Sequence, residues 1–222
     1  MRGLLADLAP HLAPGAIVTD AASTKADVER WALELLPSHV HWVGGHPMAG
    51  KETAGLEHAV SALFQGRTWC IVPPSNADSE AVRRVTQLAI DTGARPLELD
   101  AQSHDRAVAA VSHLPFTAAA ALAASVITRE DFGAHAAIAG TGLRDMTRLA
   151  SGDPVMHRDI CLTNRDNLVR ELEQYVEQLQ HAISLLRAAP APDEAEGHPA
   201  TADLGAYFEH LKERRDAWLA GR

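Results

Sequence analysis

The pattern of the chain changes near residue 100, and this change constrains the fold more than any other feature. Before it, β-type runs alternate with helical ones. Residues 3–12 read as helix and 16–20 as strand. Residues 25–36 return to helical spacing, with Val28, Trp31, Leu35 and Leu36 on one face. Strand-like runs follow at 40–43, at 68–72 (stopped by Pro73-Pro74) and at 95–99, with helices expected over 53–63 and 78–92. In the last of these helices Val82, Val85, Leu88 and Ala89 are expected to face inward. Strands alternating with helices of this length build βαβ units and a mostly parallel sheet.

From Ala101 onward no strand pattern recurs. One long helical tract covers 101–128, with Val108, Val111, Leu114 and Leu122 at helical spacing. A glycine turn at Gly140-Thr141-Gly142 follows. Asp153-Pro154 then starts a helix, with Asp as N-cap and Pro at the first helical position. Residues 154–188 read as one or two helices. The expected organisation is an α/β layer over 1–100, a helical domain over 101–188, a Pro/Ala/acidic linker over 189–200 and a last helix over 201–222. The fold class is therefore α/β, then all-α.

The 222 residues are 46% hydrophobic, enough for an ordinary core, and carry a formal net charge of −9. That sign disfavours nucleic acid and anionic membrane surfaces as partners. No apolar run is expected to reach the roughly 20 residues of a membrane span. Cys70 and Cys161 lack metal or redox spacing and read as two buried free thiols of a cytoplasmic protein. The histidines show no metal-ligand spacing, and no metal site is expected.

Four segments could carry chemistry. Gly44-Gly45-His46-Pro47-Met48-Ala49-Gly50 directly follows a strand, where ligands of parallel sheets bind. Its glycines allow close approach, and Pro47 keeps His46 out of the helical region. His46 is thus either a rigidly held proton-transfer group or an ordinary loop histidine. Asp20-Ala21-Ala22-Ser23-Thr24-Lys25 offers Ser23 or Thr24 as a helix cap, or Ser23 and Lys25 as an anion-friendly helix start. Ser112-His113-Leu114-Pro115 places a proline inside a helix, where a kink is expected beside two polar residues. In Gly140–Arg148, Arg148 can bind a carboxylate bidentately or pair locally with Asp145. The Gly-x-Gly there follows a helix and lacks a third glycine, so it is no dinucleotide fingerprint, and no other such string occurs.

These four segments, in this order, resemble the prephenate/arogenate dehydrogenase family of tyrosine biosynthesis, across nearly all of residues 1–188. The resemblance implies a Rossmann-like domain followed by a helical dimerisation domain, and hence a homodimer. It implies oxidative decarboxylation of prephenate or arogenate with hydride transfer to NAD or NADP. His46 would polarise the substrate hydroxyl and Ser23 would help orient it. Arg148 would clamp a carboxylate; Lys51, Glu52, Ser112, His113 and Asp145 would complete the substrate site; Ser23 and Lys25 would meet the nicotinamide end of the cofactor. Two positions depart from the family pattern: Phe116 stands where a second histidine is common, and His157 where an aromatic residue is.

The family's first strands and their glycine-rich turn have no counterpart here. At ~30 residues per βαβ unit, roughly 80–100 residues are lacking. A sheet without its central strands would expose apolar edges, so the expected reading is a piece of a longer enzyme, inactive by itself and a weak binder of NAD(P). The competing readings are a non-catalytic helical dimer or regulatory fragment, and an enzyme of the β-hydroxyacid dehydrogenase type.

Overall fold

The structure is a computed structural model and describes residues 1–50, 55 and 59–221. Helix α1 (Arg2–Leu8) leads to strand β1 (Ile17–Val18), helix α2 (Ala26–Leu35) and strand β2 (His41–Trp42). β1 and β2 pair in parallel, Ile17 opposite His41 and Val18 opposite Trp42. Leu5, Val18, Val28, Ala32 and Trp42 form the core they share with the two helices.

The chain then runs into strand β3 (Gly44–Pro47), followed by β4 (Thr68–Val72), helix α3 (Ser79–Asp91) and β5 (Arg95–Glu98). β4 pairs in parallel with β5 and antiparallel with β3. The first four residues of the glycine-rich motif, Gly44–Pro47, are therefore strand and not loop, and the sheet region carries an antiparallel pair. Val43, Trp69, Ile71, Ala81, Val85, Ala89 and Ala94 make a second core between this sheet and α3. Its small-residue face, Ala81, Val85 and Ala89, seats the helix close to the strands. Leu88, expected inward, is 46% exposed on the flank of that face. Of the helix expected over 53–63, residues 53, 54 and 56–58 lie outside the described residues; 59 and 60 are not helical and 61–66 form turns.

Beyond residue 100 every element is helical: α4 (Ala101–Val108), a wide π-helical turn (Ala109–His113), α5 (Leu114–Val126), α6 (Phe132–His135), α7 (Thr141–Thr147), α8 (Pro154–Thr163), α9 (Arg165–Ala188) and α10 (Pro199–Ala220). The wide turn ends two residues before Pro115. It absorbs the strain of a residue that has no N–H to donate and crowds the preceding carbonyl. It also shifts the buried face. Val111, one of the apolar residues at helical spacing, is 70% exposed, while Ala109, His113 and Phe116 are buried. The Gly140 turn is shorter than expected, since Thr141 and Gly142 already belong to α7. Asp153 caps α8 as expected, accepting from the Met156 N–H at 2.7 Å.

Contrary to expectation, Ala101–Val126 is long and apolar enough to cross a membrane by length and composition alone. Its wide turn, its proline and the buried, hydrogen-bonded His104, Asp105 and His113 make it a helix of a folded domain.

The chain divides into two compact units, 1–171 and 172–222. The second holds the rest of α9, the linker with a short 3-10 turn at Pro192–Glu194, and α10. Tyr175, Val176, Leu179, Ile183 and Leu186 of α9 lie exposed, as do Phe208, Leu211, Trp218 and Leu219 of α10.

Candidate active site

His46 is held from its backbone outward. A Cβ on Gly45 would fall 2.6 Å from the Asp20 carbonyl oxygen and 2.9 Å from Trp69 Nε1, so only glycine lets β3 come this close. In that contact the Gly45 N–H donates to Asp20 Oδ1 at 3.0 Å, and the Gly45 carbonyl accepts from Lys25 Nζ at 2.7 Å. The Lys25 ammonium is also paired with Asp20 Oδ2. One buried ion pair thus clamps both polar groups of the residue preceding His46. Burial lowers the Lys25 pKa, and Asp20 opposes that shift. Lys25 was expected at the cofactor; instead it is 1% exposed and its amine is occupied by Asp20 and Gly45.

The imidazoles form a chain. His46 Nδ1 lies 2.8 Å from His104 Nε2, and His104 Nδ1 lies 2.8 Å from Asp105 Oδ1. Asp105 also accepts from the backbone N–H groups of Lys25 (2.7 Å) and Ala26 (2.9 Å). This carboxylate, reaching over from α4, caps α2. Neither Ser23 nor Thr24 does so, and the Thr24 hydroxyl is bonded to that of Thr163 at 2.9 Å. Asn164, between α8 and α9, donates to the Asp105 carbonyl at 2.7 Å and approaches His113 Nδ1 at 3.1 Å.

Burial pushes the His46 pKa down to about 3, helped by His104, Lys25 and His113. Burial likewise brings His113 to about 4, with Asp105 opposing. Both rings are neutral near pH 7. They line a cavity of about 520 Å³ together with Ser23, Ser112 and Arg148. Its apolar side includes Phe116, whose ring stacks on His157 with centroids 4.2 Å apart and planes 2° from parallel. The two positions that depart from the family pattern thus form one wall feature.

Five of the expected site residues, Ser23, His46, Ser112, His113 and Arg148, therefore share one cavity. Asp145 does not line it; it is exposed and lies 3.6 Å from Arg144. Lys51 and Glu52 lie outside the described residues. His104, Asp105 and Asn164 escaped the sequence reading. A signal for two of them existed: Ala101, His104, Asp105 and Val108 mark the buried face of α4 at helical spacing, with polar side chains in core positions. Among the described residues no cluster of His, Cys, Asp and Glu could hold a metal ion.

The family model "Prephenate dehydrogenase, nucleotide-binding domain" matches residues 1–98, and "Prephenate dehydrogenase, dimerization domain" matches 100–197. The chain belongs to the prephenate dehydrogenase family. A curated relative, prephenate dehydrogenase of Bacillus subtilis, is 32% identical over 201 residues, which is 90% of this chain and 52% of that protein. This chain thus spans about half the length of that relative. Among solved structures, prephenate dehydrogenase from Aquifex aeolicus in complex with hydroxyphenyl propionate and NAD+ superposes with a TM-score of 0.84 at 29% identity, covering 97% of this chain and 72% of that one. Synechocystis arogenate dehydrogenase gives 0.79 at 28% identity, covering 97% and 74%.

Proposed function

We propose that the protein catalyses the oxidative decarboxylation of prephenate to 4-hydroxyphenylpyruvate in tyrosine biosynthesis, with NAD or NADP as hydride acceptor. The observation that carries this reading is a single cavity that joins a buried, neutral imidazole, His46, to an arginine, Arg148. A ring hydroxyl needs an acceptor for its hydrogen, and a dianionic substrate needs a cation.

His46 accepts the hydroxyl proton on the nitrogen not bonded to His104, as hydride leaves the carbon that bears that hydroxyl. The bond from the ring to its carboxylate then breaks, carbon dioxide departs, and the bonding pair makes the ring aromatic. The proton held on His46 returns to the phenolate oxygen, so charge and hydrogen balance. Arg148 orients a substrate carboxylate, and Ser23, Ser112 and His113 supply further polar contacts. The apolar side of the cavity excludes water and strengthens these interactions.

The nicotinamide, when bound, takes up the hydride. The residues present fit that end of the cofactor only: Ser23 and His46 line the cavity, and no string of the chain offers a phosphate-binding glycine loop.

The same reading takes the protein as a cytoplasmic homodimer that engages neither nucleic acid nor membrane. It is supported by the match to a dimerisation domain, the exposed apolar stripe of α9, the two free cysteines and the net charge of −9.

The test is to follow reduced-nicotinamide absorbance with the whole gene product, offering prephenate and arogenate with each cofactor. Turnover of prephenate is expected. Activity with neither substrate contradicts the assignment.

A further inference from the structure

Three histidines line the cavity; His157 stacks on Phe116, and the reading above gives the other two, His46 and His113, a place beside substrate. Which nitrogen of each carries hydrogen decides whether it gives or accepts a hydrogen bond. We propose that Asp105, His104 and Asn164 are positioning residues that fix opposite tautomers on two of the cleft histidines: His46 with its lone pair on Nε2, and His113 with its hydrogen on Nε2.

Asp105 is the hub, through its side chain and its backbone. Each of its carboxylate oxygens already faces a backbone N–H, Lys25 at Oδ1 and Ala26 at Oδ2, so this side chain serves as an acceptor. His104 Nδ1, 2.8 Å from Oδ1, must then carry the hydrogen. A neutral imidazole has one N–H, so His104 Nε2 is left with a lone pair. His46 Nδ1, 2.8 Å away, is thereby the donor of that bond, and His46 Nε2 is left as an acceptor.

The second branch starts at the Asp105 carbonyl, which can only accept. Asn164 Nδ2 donates to it at 2.7 Å, and this fixes which end of the amide is nitrogen. Asn164 Oδ1 agrees, accepting from Asn167 Nδ2 at 2.8 Å. The remaining Asn164 amide hydrogen meets His113 Nδ1 at 3.1 Å, so Nδ1 is an acceptor there and the hydrogen of His113 sits on Nε2. His104, His113 and Asn164 are each at most 3% exposed, so water does not compete for these bonds. The cleft therefore holds one imidazole that accepts a hydroxyl hydrogen and one that donates to an anionic oxygen, both set by the same residue of α4.

The role in turnover rests on the proposed function; the tautomers do not. Long-range 1H–15N correlation spectra of the histidine-labelled protein at pH 7, assigned with His46→Asn and His113→Asn, read the tautomers directly. The expected result is hydrogen on Nδ1 of His46 and on Nε2 of His113. In His104→Phe the His46 signal should move toward the Nε2–H form, and in Asn164→Asp the His113 signal should move toward Nδ1–H. In the active enzyme His104→Phe should lower kcat by about 10–10²-fold with KM changed far less, as for loss of a group that orients another. Wild-type protein with hydrogen on His46 Nε2 overturns the first branch, and with hydrogen on His113 Nδ1 the second, whether or not the variants fold. Tautomers as expected in a protein without activity on prephenate would contradict the functional reading alone.

Discussion

The two walls of the cleft are built on different terms. On the α/β side His46 stands on a strand whose preceding residue is clamped by a buried ion pair, and its ring is bonded to a buried partner. On the helical side Arg148 follows α7 in a short 3-10 turn, and the residue is exposed. On the proposed function, the difference separates two tasks. A group that must take a proton at one atom needs fixed geometry and a dry surrounding. A group that recognises charge needs reach, and loses little by touching water.

If that contrast is right, the two walls should fail in different ways. The largest effect is expected at His46. His46→Asn should lower kcat by ~10²–10⁴-fold with a much smaller change in KM, because its bond to the substrate strengthens as hydride leaves. Steady-state kinetics checks this, and an unchanged kcat would reduce His46 to a strand residue. Next comes the clamp. Lys25→Met leaves Asp20 buried without its cation and should cost ~3–5 kcal/mol of stability in urea unfolding. The exposed Arg2–Glu34 pair, cut by Arg2→Ala, should cost no more than about 1 kcal/mol.

On the other wall, Arg148→Ala should weaken substrate binding by ~1.5–3 kcal/mol, seen in KM, with the thermal midpoint nearly unmoved. Asp145→Ala serves as its control and should change neither. A stability loss in Arg148→Ala with KM intact would mean that both walls are structural.

A further effect concerns pH. The folded-state pKa values of His46 (about 3) and His113 (about 4) lie below the ordinary 6.5. The unfolded chain therefore binds more protons below pH 6.5, and stability must fall as pH drops from there toward 4. Thermal melts across that window should show the fall, and His46→Asn should make it shallower. A midpoint flat from pH 6.5 to 4 would contradict the buried neutral rings.

Much of this contrast was legible in the sequence. Strand 68–72, the start of α8 at Asp153-Pro154 and the helical run over 154–188 follow from local patterns that tertiary contacts do not override, while the break at Asn164 was left open by the sequence. That Ser23 and His46 meet at one cavity follows from their places at strand ends and beside glycines, whereas Arg148 was singled out by its chemistry and by the family resemblance. Other features depend on distant partners. Gly44–Pro47 forms a strand because β4 lies beside it, and nothing local distinguishes that from a loop. Val111 turns outward because a wide turn precedes Pro115, which shifts the phase of an otherwise regular helix. Lys25 is buried because Asp20 and Gly45 take its charge. Asp105 caps a helix some 80 positions earlier in the chain, a contact that no spacing rule contains.

The most direct test of the central claim is stoichiometry. Given prephenate and NAD(P), the whole gene product should release one carbon dioxide for each nicotinamide reduced, and both rates should fall together in His46→Asn. Reduction of the cofactor without release of carbon dioxide, or no reaction at all with prephenate and arogenate, would contradict the account.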